Sequence, residues 1–225
     1  MNTDLESHLM FLITRSGLDP MERISEILFG LVMVLAVTSA FSVLQVEHRD
    51  VGELLKAALG CNLAWGVIDA VFYCMARFSE KSRGIIAIQR LRQHVTPHDA
   101  QKIVADHLPA VMAQALTPRD FELVGSRLSQ ISDLPTSARL TKEDWTGAFA
   151  VFALVFASTL PVVIPFVVFK DVSVATRTSN AIAIGMLFIT GYAFGRYTGK
   201  HKWLTGLAMV AVGSGLVAVA MALGG

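Results

Sequence analysis

The sequence predicts an all-α membrane protein with five transmembrane helices and a small cytoplasmic helical insert between the second and the third. Three observations carry this. Of the 225 residues, 53% are hydrophobic and only 16% charged, against about 25% charged in ordinary soluble domains. Mean hydropathy is +0.55. The apolar residues gather into runs long enough to cross roughly 30 Å of hydrocarbon, which takes about 20 helical residues, and no segment shows the alternation expected of a strand.

Four runs carry no charge: residues 27–46, 147–169, 178–195 (the shortest) and 203–225. A fifth, residues 57–76, contains only Asp69. The chain therefore divides into an N-terminal cytoplasmic segment (1–19), the first two transmembrane helices (20–76), the insert (77–143) and the last three transmembrane helices (144–225). Lys and Arg are retained on the cytoplasmic side. Ten of them fall in 77–143 and three more, Arg196, Lys200 and Lys202, in the fourth loop, whereas the opposite side holds Arg49, Lys56, Lys170 and Arg177. The expected orientation has the N-terminus inside and the C-terminus outside, with Trp145 and Trp203 at cytoplasmic span ends. The start MNTDLESHLMFLITRSG lacks the basic head and long apolar core of a signal peptide, so the first span is expected to drive insertion. A net charge of +1 argues against nucleic acid as partner. Cys61 and Cys74 lie in apolar segments and read as inert small hydrophobes.

Helix starts are marked by capping residues. In Asp19-Pro20-Met21-Glu22 the aspartate can cap, the proline suits the first helical position and the glutamate can close a capping box. Thr141-Lys142-Glu143-Asp144 is a similar start for the third span. Thr96-Pro97 and Thr117-Pro118-Arg119-Asp120 begin short helices in the insert. There Leu91, Ile103, Val104, Leu108, Val111, Leu116, Phe121, Leu128 and Ile131 are expected to cover one another.

Asn62, Gly66, Asp69 and Tyr73 follow i, i+4, i+7, i+11 spacing and share one face of the second span. Ionisable side chains inside spans face the bundle interior or a water-filled path and often mark ion or proton routes. A purely structural carboxyl, hydrogen-bonded to a neighbouring helix or protonated by burial, is the alternative. Glu26, Gly30 and Met33 share a face of the first span in the same way. Both acids fall in the cytoplasmic half, and carboxylate oxygens with a thioether from Met33 or Met75 would suit iron or manganese. For Glu26 the alternative is a pair with Arg23, and for Met33 simple packing.

The third span carries S-T-L-P-V-V-I-P, in which Pro161 and Pro165 deprive the carbonyls of Ala157 and Pro161 of helical partners. Ser158 and Thr159 are placed to satisfy them, and the segment reads as a hinge or as a static kink. Gly191 with Gly195, and Ala211 with Gly215, are small-xxx-small spacings that allow close helix packing. Asn180 could be polar glue. His94 and His98 are four apart but separated by Pro97. There is no phosphate-binding loop, H-E-x-x-H, C-x-x-C or G-x-S-x-G motif, so catalysis finds no support.

The third span, E-D-W-x-G-A-F-A-V-F-x-L-V-F-x-S-T-L-P-V-V-I-P-F, and the endings G-Y-A-F-G-R-Y-T-G-K and W-L-T-G-L-A-M-V-A-V-G resemble the vacuolar iron transporter family, in a divergent bacterial form. The resemblance covers all five spans and is most specific over residues 140–215. It implies a homodimer of the cytoplasmic membrane that exports Fe2+ or Mn2+ coupled to proton uptake, with no permanently bound cofactor and with acids and a methionine of the first two helices lining the path. Here the N-D-G-L-V type motif is replaced by S-E-I-L-F-G-L-V, and S-M…G-E-Y by I-D-A-V-F-Y-C-M. The insert's glutamates number three: Glu80, Glu122 and Glu143. The resulting expectation is a proton-coupled divalent-metal exporter in which Glu26, Asp69 and Met33 bind metal, Asn62, Tyr73 and Met75 line the path, and Pro161 and Pro165 form a hinge. The competing expectation is a non-transporting protein of the same fold that docks a partner or anionic lipid through its basic insert.

Overall fold

The computed structural model describes residues 20–43, 51–93, 96–108 and 110–222. Asp19, Arg49, His94 and the N-terminal segment 1–19 lie outside them. All regular structure among the described residues is helical, in the order α1 (Pro20–Val43), α2 (Val51–Arg92), α3 (Pro97–Ala105), α4 (Ala110–Ala115), α5 (Pro118–Ser129), α6 (Lys142–Val168), α7 (Val172–Tyr197) and α8 (Lys202–Ala222). Three stretches are long and apolar enough to cross a membrane: Leu55–Arg92, Lys142–Val168 and Val172–Tyr197.

Two helices differ from the sequence reading. The second span was expected to end at residue 76, yet α2 runs unbroken for 42 residues to Arg92. Nothing between Arg77 and Arg92 is a proline or a cap, so the change from apolar to charged residues marks a change of surroundings and not a helix end. Likewise the fourth span is no short segment. Asp171 accepts the amides of Ser173 (2.8 Å) and Val174 (3.3 Å), which starts a 26-residue helix at Val172.

The chain forms two compact units. The described part of one is Cys74–Asp144; the other comprises Gly17–Tyr73 and Trp145–Gly225. In the first, Thr96 accepts the Asp99 amide at 3.2 Å to start α3. Asp120 takes both the amide (2.8 Å) and the hydroxyl (2.6 Å) of Thr117 to start α5. These bonds hold the Asp120 carboxyl below the usual carboxylate range, so the cap stays formed through that range and is lost only as pH falls beneath it. Val104 and Phe121 are buried, and Gly125 lets α5 approach Leu91 and Val104. Arg92 donates to the carbonyls of Ser129 and Ile131 beyond the end of α5. Val111, expected inside, is 81% exposed.

In the second unit the apolar core is Leu31, Val34 and Leu35 of α1, Ala58 of α2, Val162 and Val163 of α6, and Ala183 and Leu187 of α7. The α6 helix continues through Pro161 and Pro165. Ser158 and Thr159 do not serve the carbonyls those prolines free. Their hydroxyls donate to Val155 and Phe156, each at 2.7 Å, because a helical hydroxyl reaches back three or four residues along its own turn. The polar link between α6 and α7 is Ser179, whose hydroxyl donates to the Val162 carbonyl at 2.6 Å. Its neighbour Asn180, expected as the glue, has its Oδ1 buried without a partner.

Close packing of α7 on α8 depends on glycines. A methyl group at Gly191 would stand 2.7 Å from the Met209 side chain and 2.8 Å from the Thr205 carbonyl oxygen, and one at Gly195 would collide with the Thr205 hydroxyl. Gly206 and Gly213 admit Phe188 and Leu187 in the same way. Gly215 has nothing within 4 Å and, with Ala211, is exposed, so this small-residue pair does not pack within the chain. Gly195→Ala should therefore lower the thermal midpoint of the protein in detergent, by an overpacking cost of about 1–3 kcal/mol. Gly215→Ala should leave it unchanged, and equal effects of the two would contradict this packing.

Candidate metal-binding seam

Within the second unit, α1, α2 and α6 meet along a seam whose spacing is set by missing side chains. A Cβ on Gly30 of α1 would strike the Ser158 hydroxyl and stand 2.8 Å from the Val155 carbonyl oxygen. A Cβ on Gly66 of α2 would lie 3.0 Å from the Phe152 ring, and one on Gly147 of α6 would overlap the Tyr73 hydroxyl. Phe29 packs edge-on against Trp65 at 5.4 Å between ring centroids, fixing α1 against α2. The face of α2 carrying Asn62, Gly66, Asp69 and Tyr73 is thereby turned toward α6.

Glu26 and Asp69 are both half-buried. Glu26 stands one turn before Phe29 and Asp69 one turn after Trp65, the ring pair that joins α1 to α2, so each helix contributes a carboxyl near that contact. Asp69 Oδ2 is buried without a hydrogen-bond partner, and so are both polar atoms of Asn62, which is 1% exposed. A buried donor or acceptor left unpaired costs about 1–3 kcal/mol, and more where no water is at hand. Met33 is half-buried one turn beyond Gly30 on α1.

Met75 does not join them. It is 61% exposed alongside Val71 and Phe72, since at 100° per residue it sits about 200° round the helix from Tyr73. Pro161 and Pro165 lie farther along α6, beside the core valines Val162 and Val163. Among the described residues no three His, Cys, Asp or Glu side chains gather as a metal cage. The two carboxyls, of Glu26 and Asp69, are oxygen donors of the kind that suit a divalent ion.

A second polar cluster escaped the sequence reading. Asp144, 2% exposed, accepts the Thr141 amide at 2.7 Å and hydroxyl at 3.0 Å, completing the expected helix start. It also pairs with Lys81 and with Arg77 Nε (3.5 Å), and Arg77 reaches Glu80 at 2.7 Å. One buried carboxylate thus fastens two successive turns of α2 to the start of α6. The partners are 63 and 67 residues away in sequence, and the only local hint was the i, i+4 spacing of Arg77 and Lys81.

Comparison with known families matches residues 77–225 to the VIT family, more than half of the chain. The chain belongs to the VIT family, the vacuolar iron transporters. No curated protein matches it. A VIT-family chain with three membrane-length apolar helices among its described residues is a multi-pass membrane protein of a metal-ion transporter family. The matched stretch begins at Arg77 and takes in the Arg77–Lys81–Asp144 cluster and the α7–α8 pair; Glu26, Asn62 and Asp69 precede it, and their roles rest on the seam's geometry.

Removing one member of a buried ion cluster leaves its partners charged and unpaired, a loss of roughly 3–5 kcal/mol. Asp144→Ala should lower the thermal midpoint of this VIT-family protein markedly, and Arg77→Met and Lys81→Met combined with Asp144→Leu should recover much of it. A single variant as stable as wild type would show that the cluster holds nothing.

Proposed function

We propose that the protein is a proton-coupled exporter of Fe2+ or Mn2+ across a bacterial cytoplasmic membrane, built of five spans with the N-terminus inside, and working as a homodimer. What supports this reading is that α1 and α2, joined at Phe29 and Trp65, carry Glu26 and Asp69 one turn from that contact, with Asp69 Oδ2 buried without a partner. A dication between two carboxylates is neutralised by them. When it leaves, protons can take its place, and that replacement is the chemistry of metal–proton exchange. Met33 supplies a thioether, a softer donor that favours a borderline transition-metal ion over a purely hard one. Tyr73 closes the charged end of the seam against Gly147, and the prolines of α6 give it a place to bend. Docking through the basic insert alone would leave the unpaired atoms of Asn62 and Asp69 without a purpose.

The test is Mn2+ and Fe2+ flux in proteoliposomes, with internal pH followed in parallel. Asp69→Asn and Glu26→Gln should each reduce flux by about tenfold or more and abolish the accompanying pH change, while the protein still inserts and purifies normally. Undiminished flux in Asp69→Asn would remove the mechanism.

A further inference from the structure

We propose that Asn62 is a second, uncharged station on the pathway, at which the ion is held through its own hydration water after leaving the carboxylates. This deepens the exchange reading and rests on it. Asn62 lies seven residues from Asp69 on the same face of α2, about 10 Å along the helix at 1.5 Å per residue. Between them that face carries only Gly66, against which Phe152 packs. One turn farther on, Ala58 belongs to the apolar core with Leu31, Val34, Leu35 and Val162. Asn62 is therefore the last polar side chain of its helix face before an apolar seal.

Its carboxamide is buried with acceptor and donor both unpaired. A bare cation could satisfy only Oδ1, because the amide nitrogen carries hydrogens and repels it. A hydrated ion satisfies both: Oδ1 accepts a hydrogen from a metal-bound water, and Nδ2 donates to an outer water. An ion that has left the two carboxylates with part of its shell would rest here. It would then be stopped by the core until α1, α2 and α6 part at their tightest approach, Gly30 on Ser158.

The experiment compares wild type, Asn62→Leu, Asn62→Ser and Asp69→Asn, using Mn2+ as the probe. Thermal midpoint, Mn2+ binding by the purified full-length protein and Mn2+ flux in proteoliposomes are measured for each. Leucine has nearly the shape of asparagine without its unpaired atoms, so Asn62→Leu should match or exceed the wild-type midpoint. It should bind Mn2+ within about threefold of wild type and lose flux by about tenfold or more. Asn62→Ser, which leaves room for water and keeps a hydroxyl, should retain most of the flux. Wild-type flux in Asn62→Leu would overturn the proposal. So would a fall in its midpoint, which would make Asn62 a structural partner, or loss of its Mn2+ binding, which would place it in the carboxylate site itself. Normal binding and flux in Asp69→Asn would instead strike the carboxylate reading, and the second station with it.

Discussion

A polar atom inside a bundle of apolar helices can be satisfied only by what the bundle itself provides, and the rest of this structure follows from that constraint. Hydroxyls of Ser158, Thr159 and Thr190 fold back onto their own helix carbonyls, and Ser179 crosses to a neighbouring helix. Asp144 is surrounded by two cations and a helix start. Among the described residues, unpaired buried atoms remain on Asn180 of α7 and on Asn62 and Asp69 of α2, and the last two share one helix face.

The two charge assemblies differ in kind. Asp144 has donors on every side, so its charge is compensated within the fold and nothing need arrive from outside. Glu26 and Asp69 have each other, which is the one arrangement that opposite charges from elsewhere must relieve. The first is a fastening, and on the proposed reading the second receives the ion. Gly30, Gly66 and Gly147 bring α1, α2 and α6 together along the seam.

Local chemistry was readable from the sequence and long-range chemistry was not. The starts of α3, α5 and α6 follow from Thr and Asp residues that cap within three positions, and the polar face of α2 follows from helical spacing. The end of α2 was misplaced because hydropathy reports the solvent around a helix and says nothing of whether the helix continues. The start of α7 was misplaced for the same reason, Arg177 having been taken as a boundary when it is only a charge on an extended helix. Met75 was grouped with Tyr73 by nearness along the chain, although two residues on a helix point to opposite sides. Ser179 and Asn180 were indistinguishable in sequence; in the fold it is Ser179 that reaches the Val162 carbonyl of α6. The partners of Asp144 could not be read at all, since no local rule links residues more than 60 positions apart.

The seam's donor set also bears on how an ion could be released. Two carboxylates balance the charge of one divalent ion, so on the proposed reading the loaded and the doubly protonated seam carry the same net charge. Neither state then requires a buried charge to be left bare as the helices move. A third acid would bind more tightly but would leave an excess negative charge at every exchange. An asparagine in that position adds an oxygen without adding charge, and a weakly held ion is one that can move on.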